Sequence, residues 1–311
     1  MHAILAFVLL SPLGTGTSEA KNTRAPTLDS IIFVRDNSLW STPIAGDKTI
    51  KLLDFPWLVE NYELLHIAAN GSALLIQMDG LVAWSKLDPA TQSAQALKLL
   101  PCGGPARLSS DGASVTCRTQ DKERIAIYTM LPTISVRVID KKVETELFWS
   151  GNAVLFRDTG GLVKLQEDSE SKVSNHAPSS NMQVTPKGDR VIGSYQEGDI
   201  DVVYTFKLDG KAVKRTLVQA GRVVSISADS TWAAIQQEID ACAVRVAGGQ
   251  YMCWTRFEAV DISTEGRNLL LSVAGAKVGH DLYLGSVSGT KASKPNLIAE
   301  GVGTLAAFWR P

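Results

Sequence analysis

The sequence predicts an all-β chain in which one small unit is repeated, and three observations carry that prediction. The stretch Ala106–Cys117 (ARLSSDGASVTC) sets two short β-prone runs on either side of Ser110-Asp111-Gly112, an Asp-Gly step whose glycine tolerates the positive φ of a tight hairpin. Variants of this turn recur at Asn70-Gly71, Gly151-Asn152, Lys187-Gly188, Asp229-Ser230 and Glu265-Gly266, roughly 40 residues apart. The runs between them alternate apolar and polar residues and are rich in β-branched side chains, and no run of helical length is capped at both ends. A period near ~40 with four short strands in each is the pattern of β-propeller blades.

Taken in order, the elements assemble into such blades. Ile31–Arg35 turns at Asp36-Asn37 into Ser38–Thr42 and then Thr49–Leu53, a meander that lacks its innermost strand. The second unit starts near Leu64 and reaches its third strand at Leu81–Trp84. The third contains Ala106–Cys117, followed by Arg124–Met130 and Ser135–Asp140. The fourth begins at Leu147, the fifth at Met182 with a further turn at Asp209-Gly210, and the sixth at Val223. The seventh begins at Ala259 and continues through a hairpin at His280-Asp281 into Leu282-Tyr283. At the far end, Leu305–Pro311 reads as an innermost strand that stops before its turn. Joined to the first unit it completes one blade from both ends of the chain and pairs edges otherwise left open. The expectation is seven four-stranded blades in a single domain over residues 21–311, with six as the alternative because the fourth and sixth units are irregular.

The turn pattern, followed about a dozen residues later by pairs such as Leu39-Trp40, Val203-Tyr204 and Leu282-Tyr283, resembles the TolB-type propeller repeat. The resemblance covers nearly all of residues 21–311 and implies the propeller fold. The proline before Asp-Gly common in that repeat is absent, the aromatic that ends its first strand is kept only at Trp149 and at Phe308 or Trp309, and the residues before Ile31 are not expected to form the α/β domain that precedes the propeller in TolB.

Charge and cysteines bound the setting. Among 311 residues, 45% are hydrophobic and 20% charged, with a formal net charge of −1, so no global field favours nucleic acid. Ala3–Leu10 is an apolar run too short to span a bilayer, and Ser18-Glu19-Ala20 follows in a small-x-small arrangement. Residues 1–20 therefore read as a secretory signal, with a buried first strand as the alternative. No later segment is apolar enough to cross a membrane. Cys102 with Cys117 and Cys242 with Cys253 each fall within one repeat, which favours two local disulfides over a zinc site, since no CxxC and no adjacent histidine occurs. Disulfides suit an oxidising, secreted or periplasmic compartment.

Residues with chemistry are sparse. Glu63 and His66 are spaced for a helical metal site, but on a strand they point to opposite faces, and His66 reads as structural. His280-Asp281 reads as a turn before it reads as an acid–base pair. Gly285–Gly289 centres on Val287, so it is no nucleophile elbow, and Gly301–Ala306 leads into the closing strand instead of a phosphate-binding helix. Glu197, Asp199 and Asp201 set three carboxylates in one loop and are the candidate calcium ligands. Asn70-Gly71-Ser72 matches a glycosylation acceptor on a turn too tight to favour it. Trp40, Trp84, Trp149, Trp232 and Trp254 fall in strands and pack between blades. Phe55, Trp57 and Tyr62 lie in a connecting loop, where they pack across its base or present an aromatic anchor to a partner. The functional expectation is a monomeric, non-enzymatic binding scaffold that engages a protein or envelope polymer at one mouth of the ring without a cofactor. The alternative is a calcium-dependent, lactonase-like hydrolase. Thiol titration of the denatured protein tests the compartment: no free thiol is expected, and four would contradict it.

Overall fold

Ser30–Arg35 (SIIFVR), Ala73–Met78 (ALLIQM) and Asn268–Ala274 (NLLLSVA) are apolar at consecutive positions, not only alternate ones. Such strands are buried on both faces. A computed structural model describes residues 29–309, apart from 46–47, 57, 59–60, 122–123, 142, 144–146, 159–160, 168, 176–179, 186–187, 209–215, 248, 276–278, 289–290 and 304. The proposed signal segment and Trp57 lie outside the described residues.

The described residues form seven antiparallel sheets arranged as a β-propeller, with no helix among them. The doubly buried strands Ser30–Arg35, Ala73–Met78 and Asn268–Ala274 are the second strands of their blades, and each blade meets a neighbour on either face. The innermost strands, taken from blade 1 to blade 7, are Ala306–Trp309, Tyr62–Ile67, Arg107–Leu108, Leu147–Ser150, Ser180–Val184, Arg222–Ile226 and Glu258–Ile262. Blade 2 splits its outer strand into Ser93–Ala94 and Lys98–Leu100, both paired to Leu81–Asp88.

Blade 1 closes the ring. Its innermost strand comes from the C-terminal end and pairs with its second strand in the register Ser30↔Trp309, Ile31↔Phe308, Ile32↔Ala307 and Phe33↔Ala306. The irregular fourth and sixth units are full blades. Blade 4 has a tighter hairpin, with Ser150 opposite Ala153, and blade 6 puts Ser230, at φ 61°, where the other turns use glycine.

The repeated turn owes its sequence to two demands. A Ser or Thr at the end of the inner strand accepts the amide five residues on: Ser109 from Ser114 at 2.9 Å, Thr185 from Arg190 at 3.1 Å, Ser227 from Trp232 at 3.0 Å and Ser263 from Asn268 at 3.0 Å. The turn glycine then lies against the preceding blade. At Gly112, φ is 73° and a Cβ would come within 2.7 Å of the Ser72 hydroxyl; at Gly266, φ is 66° and a Cβ would meet the Trp232 ring at 2.5 Å. Any side chain there is both strained and obstructed.

Hydrophobic packing falls into seven clusters, one at each interface between blades, instead of a single core. Leu74, Ile76 and Met78 pack toward blade 1, whereas Leu75 on the same strand packs toward blade 3. Outer strands such as Ser135–Ile139 are largely exposed and correspondingly polar or mixed. Both disulfides form. Cys242 and Cys253 are directly opposite on adjacent strands of blade 6, with Cα atoms 4.1 Å apart. Cys102–Cys117, at 5.8 Å, ties the link from blade 2 into the second strand of blade 3.

Two expectations need correction. His280 and Asp281 do not form a hairpin turn; they begin the third strand of blade 7, where the Asp281 carboxylate accepts the Gly301 amide at 3.1 Å. Phe55 is no exposed anchor: it is 6% exposed and packs between blades 1 and 2, with the Tyr62 ring 5.8 Å away.

Trp309 is fully buried at the junction of blades 1 and 2, and its indole N–H donates to Gly71 O at 2.9 Å. Trp309→Ala is expected to lower unfolding free energy by about 3–5 kcal/mol in chemical denaturation, whereas truncation of exposed Val136 on blade 3's outer strand should change it by less than about 0.5 kcal/mol.

Candidate functional site

A propeller repeats one strand position around its axis, so residues far apart in sequence meet at the centre. In every blade one inner-strand residue pairs with the third residue of the second strand. These are Ala307, His66, Arg107, Phe148, Gln183, Ser225 and Asp261, from blade 1 to blade 7. All seven line one central cavity of about 620 Å³, inside the ~300–1,000 Å³ range of small-molecule sites. In blades 2, 5, 6 and 7 the inner strand carries a bulge upstream of this position, a device that re-aims side chains.

Four of the five polar members of the ring lean on the next blade. The Arg107 guanidinium lies 5.2 Å from the centre of the Phe148 ring. Gln183 donates to Val224 O at 3.3 Å, and Ser225 Oγ accepts the Ile262 amide at 3.0 Å. Asp261 Oδ2 accepts the Phe308 amide at 2.9 Å, across the seam where blade 7 meets the closing strand. Its Oδ1 accepts the Ile262 amide at 2.8 Å, and Ser225 supplies a further bond.

Electrostatics differ sharply around the ring. Burial, with the positive field of Arg107 adding to it, lowers the His66 pKa to about 4, so the imidazole is neutral near pH 7. Its Nδ1 is shut off from solvent and has no hydrogen-bond partner among the described residues. Burial raises the Asp261 pKa to about 6 even though hydrogen bonds from Phe308, Ser225 and Ile262 oppose the rise. At the start of the inner strands, Glu63, Arg222 and Glu258 are exposed at one mouth. Glu63 is held there by the Gln77 amide group and by the Gly80 N–H at 2.7 Å. Trp149 and Phe308, both half-buried, add aromatic wall, and the Trp149 indole donates to Arg107 O at 3.0 Å.

The residues singled out in the sequence are mostly elsewhere. Glu197, Asp199 and Asp201 flank the hairpin between the second and third strands of blade 5, where Glu197 accepts the Tyr204 hydroxyl at 2.8 Å. Among the described residues no three His, Cys, Asp or Glu side chains are gathered around one point that could hold an ion. Of the residues weighed for chemistry in the sequence, Glu63 and His66 are on the channel, Glu63 at its mouth and His66 in the ring. Arg107, Gln183, Ser225 and Asp261 were not singled out. A usable signal exists: counting back five residues from Gly71, Gly112, Gly188, Ser230 and Gly266 lands on all five polar ring members.

No protein-family model matches the chain, and no curated protein matches it. Solved structures do. Oligogalacturonate lyase in complex with manganese aligns at TM-score 0.62 and 13% identity, covering 81% of this chain and 83% of that one. TolB from Acinetobacter baumannii aligns at 0.55 and 14%, covering 90% of this chain and 66% of TolB. A protein from Desulfotomaculum acetoxidans aligns at 0.57 and 12%, covering 91% and 99%. At such identities the similarity establishes a shared propeller fold. No helix of the described residues is long and apolar enough to cross a membrane.

The depressed His66 pKa has a definite sign. Between pH 6.5 and about 4 the unfolded chain takes up a proton at this position that the folded chain resists, so stability falls as pH drops through that window. Asp261 acts oppositely, losing stability as pH rises from 3.8 to about 6. His66→Gln is therefore expected to flatten the acid-side loss, read as the variant-minus-parent difference in unfolding free energy across pH 4–6.5.

Proposed function

We propose that this protein is a binding propeller that takes a protein or polymer partner at one mouth of the ring and draws part of it into the central channel. The observation that carries this reading is the ring itself: five polar side chains from five blades converge on one cavity between aromatic walls. The two disulfides and the apolar run Ala3–Leu10 support a secreted or periplasmic setting. The protein acts there as a monomer, without a cofactor.

The convergence of His66, Arg107 and Asp261 on the same cavity supports a second reading, a hydrolase using one calcium ion held by Asp and Asn side chains from several blades. A calcium series separates the two. The binding reading expects a melting temperature indifferent to calcium, whereas an ion bound only by the folded state raises it.

Photo-cross-linking groups at Glu258, Thr264 and Val136, exposed to the native envelope fraction, test the main reading. The first two sit toward opposite ends of the channel wall and the third on an outer strand. Capture from Glu258 or Thr264 is expected, and whichever reacts names the mouth. Capture from Val136 alone contradicts the channel as the binding site.

A further inference from the structure

Every blade presents an outer strand to solvent, and in most blades its free edge is blunted. In blades 1, 4, 5 and 7 the outer strand carries an extra residue where its register against the third strand shifts. In blade 2 it is broken into two pieces. Bulges and breaks of this kind spoil an edge as a template for further strands. In blade 6 the outer strand is tied to the third by Cys242–Cys253, and its Trp254 indole donates to Ser293 O of blade 7 at 2.8 Å. Blade 3 differs. Ser135–Ile139 pairs with Ile125–Thr129 residue by residue without a shift, and among the described residues no strand pairs with its other edge.

The side chains of that strand are as open as its backbone. Val136 is 55% and Val138 45% exposed, and Ile134 and Leu131 just before them are 48% and 40% exposed. Val136 and Val138 stand opposite Tyr128 and Ala126, which pack toward blade 2, so both valines project from that one face. The four apolar side chains expose on the order of a few hundred Å², the size at which an apolar patch marks an interaction site. Two properties select the occupant. The patch is well short of the ~800 Å² per partner that a stable interface between folded proteins buries, so it fits a segment. A second copy of this chain, paired antiparallel over the whole strand, would also set Arg137 directly opposite Arg137, and like charges so placed weaken a sheet.

We propose that the outer edge of blade 3 takes an extended segment of a partner protein as a fifth strand. The segment carries apolar residues at the alternate positions that meet Val136 and Val138, and no basic residue opposite Arg137. Main-chain hydrogen bonds hold it, and the two valines select its side chains. This edge and the central channel are at opposite ends of the blade, and the proposal does not depend on the channel-binding reading.

The test is amide hydrogen exchange of the intact protein with the capped peptide Thr-Val-Thr-Val-Thr, a copy N-methylated at alternate residues, and a copy with lysine at the centre. In the protein alone, alternate amides of Ser135–Ile139 should exchange freely, because one edge of the strand is unpaired. With the peptide at ten times its dissociation constant, those amides are expected to slow about tenfold. The methylated and lysine copies should leave them unchanged. Val138→Lys should abolish the protection while the melting curve stays that of the parent. Equal protection by the methylated copy, protection elsewhere only, or none at millimolar peptide overturns the proposal. Slow exchange of these amides without peptide overturns it too, since the edge is then already occupied: by a second copy if protection grows with protein concentration, by another part of the chain if it does not. None of these outcomes alters capture at Glu258 or Thr264, so the two readings fail separately.

Discussion

The structure depends on four residues from one end of the chain pairing with a strand from the other. Ala306–Trp309 is the innermost strand of blade 1, and without it Ser30–Arg35 would be an open edge facing the axis. The same four residues touch three blades. Phe308 and its neighbours pair with blade 1, the Phe308 amide binds Asp261 of blade 7, and the Trp309 indole reaches Gly71 in blade 2. Closure is thus a contact of very long sequence separation, the kind that makes a β fold slow to form.

That closure also sets the chemistry of the channel. Asp261 holds the closing strand by accepting its amide, and it is the one acidic side chain of the ring. Hydrogen bonds compensate its charge only in part, so burial still holds its pKa near 6. One side chain thus both clamps the seam and lines the channel.

Much of the fold was legible because backbone geometry restricts which residues serve. Turn glycines repeat since each needs positive φ and a close approach to the preceding blade, as at Gly112 and Gly266. Both-faced burial left runs such as ALLIQM readable as second strands. The missing strand of the first unit pointed to its partner at the other end. The channel ring was hidden for the opposite reason. One position repeats in space while its residue changes from His66 to Arg107 to Phe148 to Asp261, so no local motif marks it. His66 looked like an ordinary strand residue because what sets its charge state, burial in the assembled ring and then the field of Arg107 from the next blade, is not local in sequence. Phe55 looked like a loop aromatic because the cleft between blades that buries it is visible only in three dimensions.

Amide hydrogen exchange along Ala306–Trp309 tests the closure most directly. If this strand seals the ring, its protected amides should exchange only when the whole molecule unfolds, with the same protection as the second strand of blade 4. Exchange of those amides within seconds under native conditions, while blade 4 stays protected, would contradict the closed ring.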